Sequence, residues 1–133
     1  MTDPRYTHHA GGVYSLKYHL VWCPKYRRPV LVDRIADDLR ALLYQKASQL
    51  QVTIEALEIM PDQVHLFVSA DPTEAPQRLA NQFKGFTSRS LRKKYSTLRS
   101  RLPSLWSRSY YVGSLGQVSD KTVRQYIEAQ KKS

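Results

Sequence analysis

With a single cysteine, Cys23, the chain can form no intramolecular disulfide and no structural zinc site built on thiolates. A reducing cytoplasm is the expected setting. Acidic residues are scarce, 11 against 21 lysines and arginines, which leaves a formal charge of +10 and an isoelectric point near 9.9. That imbalance favours a polyanionic partner over an acidic small molecule, with nucleic acid first among polyanions and a merely basic surface as the bland alternative. No uninterrupted apolar run approaches membrane-spanning length, and Met1-Thr2-Asp3-Pro4-Arg5 opens no apolar leader core. Secretion and membrane insertion are therefore not expected. Internal repeats and low-complexity tracts are also missing. What remains is 133 residues of 41% apolar content, which suits one domain over 1–133 with a modest core, preceded by a flexible stretch at 1–11.

The apolar pattern alternates from Val13 to Trp22, with Tyr14, Leu16, Tyr18, Leu20 and Trp22 on one side and Ser15, Lys17 and His19 on the other, as in a half-buried strand. Helical spacing of Ile35, Leu39, Leu42, Leu43, Ala47 and Leu50 predicts an amphipathic helix over 33–50 with Asp33 as N-cap. Strands follow over 52–59 and 64–69, joined at the Pro61-Asp62 turn. Leu79, Phe83 and Phe86 form the stripe of a second helix, from Thr73 to about Tyr95, whose other faces carry Lys84, Arg89 and Arg92. Residues 96–108 read as a loop broken by Pro103, 110–115 as a short strand, and 118–132 as a last helix capped by Ser119.

The order β-α-β-β-α-β-α predicts an α+β fold of ferredoxin-like, or RRM-like, type. In it an antiparallel sheet carries two helices on one face, and a C-terminal helix bears Tyr126. Val64, Leu66 and Val68 then face the helices, and Gln63, His65 and Phe67 face away. Tyr126 and Gln130, four apart, point the same way from the last helix. A lone strand histidine is ordinarily a hydrogen-bonded surface residue, and a tyrosine on such a stripe is ordinarily core. Gln130 on the same stripe is what argues for a site, since a purely structural stripe would more readily carry an aliphatic residue there. Lys25, Arg27 and Arg28 after the first strand, and Lys84, Arg89, Arg92 and Lys93 on the second helix, suit phosphate contact. Trp106, Tyr110 and Tyr111 suit stacking on unpaired bases, although one of the adjacent tyrosines must point inward.

Four segments carry a resemblance over nearly the whole chain. They are Trp22-Cys23-Pro24-Lys25-Tyr26-Arg27-Arg28, Met60-Pro61-Asp62-Gln63-Val64-His65-Leu66-Phe67-Val68, Leu105-Trp106-Ser107-Arg108-Ser109-Tyr110 and Val123-Arg124-Gln125-Tyr126-Ile127-Glu128-Ala129-Gln130. In this order they resemble the single-tyrosine HUH transposases of the insertion-sequence 200/605 type. The resemblance implies a ferredoxin-like homodimer that cuts and rejoins single-stranded DNA at the ends of a small mobile element and recognises hairpins there. It implies that Tyr126 is the nucleophile, leaving a 5′-phosphotyrosine and a free 3′-hydroxyl without ATP. It also implies a magnesium or manganese ion held by Gln63, His65 and Gln130, with active sites that are composite between subunits in some members. Glu58, near the central motif, and His19 are candidates for auxiliary roles around the ion or the phosphate.

At Gln63 the sequence departs from the family, which has histidine there. An amide oxygen still ligates hard divalent cations, but an imidazole is lost and the donor set brings no formal charge. Three readings compete: an active enzyme with a variant site, a decayed copy that still binds hairpin DNA, and an inactive variant. A non-catalytic RNA-recognition-type module is a further alternative, but the aromatic signature of that class is missing.

Overall fold

The computed structural model describes residues 7–9, 12–14, 16–114 and 120–133. Strands β1 (Thr7–His9) and β2 (Gly12–Tyr14) pair as an antiparallel ribbon, so part of the stretch expected to be flexible is a strand. The single strand expected over 13–22 is divided between β2 and β3 (Leu16–Trp22). Then follow α1 (Asp33–Leu50), β4 (Thr53–Met60), β5 (Gln63–Ala70), α2 (Pro76–Lys94), α3 (Ser96–Arg101), β6 (Tyr111–Ser114) and α4 (Asp120–Ala129). Short 3₁₀ turns occupy Lys25–Arg27 and Gln130–Lys132.

Local chemistry explains where these elements differ from expectation. Asp33 does not cap α1: it is the first helical residue, with φ at 53°, and Val32 stands at the cap without a side-chain hydrogen bond. At the other end Gln51 takes the left-handed conformation (φ 58°) and its N–H reaches the carbonyls of Ala47 and Ser48, closing the helix without a glycine. Helix α2 starts three residues later than predicted. Thr73 is drawn into a turn by Asp71, whose carboxylate accepts from the Thr73 N–H and hydroxyl, and Pro76 takes the first helical turn, where its missing N–H costs nothing. The expected loop over 96–108 contains α3, anchored by Leu98 at 2% exposure. Ser119, expected to cap the last helix, lies outside the described residues.

The four longer strands form one antiparallel sheet in the order β4-β5-β3-β6, the ferredoxin-like arrangement. One face is dry. Leu20, Trp22, Val64, Leu66 and Val68 pack there against Leu39 and Leu43 of α1 and Leu79 and Phe83 of α2, all fully buried. Full burial of one such side chain stabilises by about 2 kcal/mol, so this layer holds the sheet rigidly enough to fix its other face. The adjacent tyrosines divide as strand geometry requires: Tyr110 packs on the core and Tyr111 lies against His19 on the opposite face. That opposite face is not open along β3, where His19 and Val21 are both buried.

Candidate functional site

Strand register assembles the first half of the site. His65 stands opposite Val21 on one side and Glu58 on the other, while His19 stands opposite Phe67. The His19 ring stacks on Phe67 with centroids 4.1 Å apart. Its Nε2 lies 3.1 Å from Nδ1 of His65, and Nε2 of His65 lies 2.8 Å from Oε1 of Gln63. The Gln63 amide nitrogen donates to Asp62 at 3.3 Å, which orients the amide oxygen towards the ring. An amide oxygen only accepts, so His65 donates from Nε2 and its Nδ1 accepts from His19. Burial, then the neighbouring His65, pushes His19 down to about 4. Burial also lowers His65, against the opposing pull of the Glu58 carboxylate. Both imidazoles are therefore neutral at physiological pH, the form that ligates metals.

The donor chemistry at Gln63 and His65 fits a divalent cation. Two neutral donors 2.8 Å apart have about the spacing of adjacent ligands on one ion with bonds near 2.1 Å. Glu58 is the nearby carboxylate that acts on His65 electrostatically. Among the described residues no group of three His, Cys, Asp or Glu converges, so the metal-binding potential here depends on the amide.

Helix α4 supplies the second half. Tyr126 lies with its ring 6.2 Å from that of Tyr111, which in turn lies 6.2 Å from His19, so Tyr111 makes ring contacts with both the tyrosine and the histidine pair. The Ser109 hydroxyl lies 3.4 Å from the Tyr126 oxygen, and burial pushes the phenol up to about 12. Gln130 is buried at 4% exposure, and its amide is already occupied. The oxygen accepts from the hydroxyls of Ser107 and Ser109, each at 2.9 Å, and the nitrogen donates to the Tyr126 carbonyl at 3.2 Å. The structure thus brings Gln63, His65, Glu58 and His19 together, and Tyr126 with Gln130, but joins Gln130 to serines rather than to the strand donors.

Arg27 fastens the helix. Its guanidinium pairs with Asp62 at 2.9 Å and with Glu128 at 3.0 Å, and also reaches the Ile127 carbonyl at 3.4 Å. The Tyr26 N–H donates to the Ser133 carbonyl at 2.8 Å. The turn after β3, the β4–β5 turn and the end of the chain are tied at one point.

The residues expected to contact DNA divide sharply. Lys84 and Trp106 are buried, which corrects their surface assignment: Lys84 donates to three backbone carbonyls, and the Trp106 indole N–H donates to Thr87 while its ring packs edge-on to Trp22. Arg27 is spent on the ion pairs just described. Arg92 donates to the carbonyls of Pro103 and Leu102. Lys25 lies over the Tyr26 ring. Arg28 and Arg89 are exposed, and Arg28 lines a cleft of about 430 Å³ with Pro29, Val30, Arg101 and Leu102. Sequence reasoning missed Ser107, Ser109 and Asp62. The alternation of the two serines about Arg108 was their only signal.

Residues 12–130 match the family model described as Transposase IS200 like. The chain is 38% identical over 122 residues to the ISDra2 transposase TnpA of Deinococcus radiodurans, covering 90% of this chain and 87% of that protein. It is 26% identical over 119 residues to the transposase for insertion sequence element IS200 of Salmonella typhimurium, covering 88% and 78% respectively. A Deinococcus radiodurans R1 protein crystallised as a candidate transposase superposes with a TM-score of 0.87 at 36% identity, over 96% of this chain and 99% of that one. A REP-associated tyrosine transposase bound to a REP hairpin shares the fold, with a TM-score of 0.57 at 12% identity over 92% and 68%.

Proposed function

The chain belongs to the IS200-like transposase family, and from that premise we propose that it cleaves and rejoins single-stranded DNA at hairpin-bearing ends, with Tyr126 as nucleophile. What supports the reading is that Tyr111 makes ring contacts both with Tyr126 and with His19, whose neighbour His65 pairs with the Gln63 amide. In the cleavage step the Tyr126 oxygen forms a bond to phosphorus and the P–O3′ bond breaks. The phenolic proton is lost to solvent and the departing 3′ oxygen gains one, so a 5′-phosphotyrosine and a free 3′-hydroxyl result. Rejoining reverses this with another 3′-hydroxyl.

Each residue has a task in that step. Ser109, whose hydroxyl lies 3.4 Å from the Tyr126 oxygen, favours the phenolate that burial opposes once its proton turns from Gln130 to that oxygen. Gln63 and His65 would hold magnesium or manganese, with Glu58 supplying the nearby negative charge and His19 fixing the His65 ring. The ion, when bound, would neutralise charge on the phosphate oxygens. Gln130 becomes a third donor only if its amide leaves Ser107 and Ser109. The partner is single-stranded DNA with a hairpin, as in the distant REP-hairpin complex of the same fold, and the working form is a homodimer.

A second reading, hairpin binding without cleavage, is favoured by Gln63 itself and by the occupied Gln130 amide. One experiment separates them. The protein is incubated with hairpin-bearing single-stranded DNA and magnesium or manganese, and a protein–DNA adduct stable to denaturation is sought. An adduct lost in Tyr126→Phe establishes the nucleophile. If the wild type binds but gives no adduct, and Gln63→His does, the binding reading stands.

A further inference from the structure

Lys84 is the charged residue that the proposed chemistry leaves unused. It rises from α2 at 9% exposure, and its Nζ donates to three successive carbonyls, those of Ser107 at 2.8 Å, Arg108 at 3.1 Å and Ser109 at 3.0 Å. Three acceptors match the three N–H bonds of a protonated amine; a neutral amine would leave one carbonyl unmet. Successive carbonyls of an extended strand point in opposite directions, so gathering three on one atom keeps 107–109 out of the sheet, and β6 begins only at Tyr111. One turn along α2, Thr87 accepts from the Trp106 indole at 3.0 Å, so the same helix face holds residues 106–109 at two points. The Tyr110 ring lies 5.8 Å from the ammonium.

The side chains of this held segment go to α4. The hydroxyls of Ser107 and Ser109 both donate to Oε1 of Gln130, and Ser109 also reaches the Tyr126 oxygen. A continuous path of hydrogen bonds therefore runs from one buried cation, through three residues of backbone, to the tyrosine and the glutamine one turn after it.

We infer that Lys84 is a positioning residue that folds residues 107–109 into the receptor for the Tyr126–Gln130 turn, and so sets where the Tyr126 hydroxyl stands relative to Gln63 and His65. Burial pushes the Lys84 ammonium down to about 8, which marks how fully it has left water for these carbonyls. The positioning of α4 is a property of the free protein. Its consequence for cleavage rests on Tyr126 being the nucleophile.

Lys84→Met keeps the aliphatic stem and removes the donors. Hydrogen–deuterium exchange of the DNA-free protein is expected to show amides 124–133 exchanging at least about tenfold faster, with β3 and β5 still protected. In the cleavage assay the rate constant for adduct formation falls while the hairpin-DNA concentration giving half-maximal rate is unchanged, a split that general loss of structure would not produce. Lys84→Arg, which cannot put three donors on one atom, restores neither. If Lys84→Met does not fold, Ser107→Ala combined with Ser109→Ala cuts the path on its other side, and the same loosening of 124–133 is expected. Wild-type protection of 124–133 in whichever of these variants folds overturns the inference. A wild type that forms no adduct sinks the cleavage reading and leaves the exchange result intact.

Discussion

The amide oxygen of Gln63 and Nε2 of His65 stand 2.8 Å apart and satisfy one another. A cation entering this pair has to displace that hydrogen bond and move the His65 proton to Nδ1, turning its partner His19 from donor to acceptor. Neither group brings charge, so cation binding in the absence of a phosphate is expected to be weak.

Restoring the imidazole in Gln63→His is expected to tighten manganese binding by the DNA-free protein about tenfold, by analogy with the affinity changes that single groups around metal sites produce. Isothermal titration or manganese EPR measures it, with His65→Ala as the control that loses binding. Equal affinities for Gln63→His and wild type would remove residue 63 from the ion's surroundings.

Burial pushes Tyr126 up to about 12, so its phenolate is scarcer at pH 7 than that of an ordinary, already neutral tyrosine. If the phenolate is the attacking form, its population grows about tenfold per pH unit below that value. Single-turnover adduct formation is therefore expected to rise with pH between about 7 and 9, with a log–log slope near one. A flat profile would mean that a step without proton loss limits the rate, or that the phenolate of Tyr126 is not the attacking group.

Arg27→Met removes the tie between Asp62 and α4 and leaves the Asp62 carboxylate without its cation. The Asp62 arm is partly buried and accounts for a loss of about 1–2 kcal/mol in chemical denaturation. The exposed Glu128 arm adds little. Proteolysis near the C-terminus is expected to accelerate with it, and an unchanged denaturation midpoint would show that the tie is ornamental.

Arg28→Ala and Arg89→Ala are each expected to weaken hairpin-DNA binding across sequences and to lower the salt dependence of log K by about 0.7, the loss of one phosphate contact on a single strand. Lys84→Met is expected to leave that slope where it was, because the ammonium faces carbonyls and not solvent. Binding isotherms at several salt concentrations decide it.

The fold class follows from the order of elements, and the division of β5 into a dry and a polar face from alternation, both of which a sequence displays directly. What each side chain does on its face does not. Lys84 reads as a surface cation because it falls outside the apolar stripe of its helix, and only the carbonyls of a segment over 20 residues away reveal why it is inside. Trp106 reads as a stacking platform, yet its indole N–H has a partner in Thr87, and that partnership lets so large a ring be buried. Gln130 was legible as a polar group beside Tyr126, but its serines were not, since hydroxyl contacts leave no periodic trace. The α3 turn escaped because five polar and basic residues with one leucine carry too little pattern.

Strand β3 comes early in the chain but ends in the middle of the sheet, hydrogen-bonded to β5 on one side and to β6, about 90 residues onward, on the other. Closing loops of that length is slow and entropically costly, so the centre of the sheet is completed late in folding. His19, His65 and Tyr111 come from these three strands, and α4 docks on residues just before β6. A chain still being synthesised, or caught half-folded, therefore carries its basic residues before the cluster of His19, His65 and Tyr111 exists.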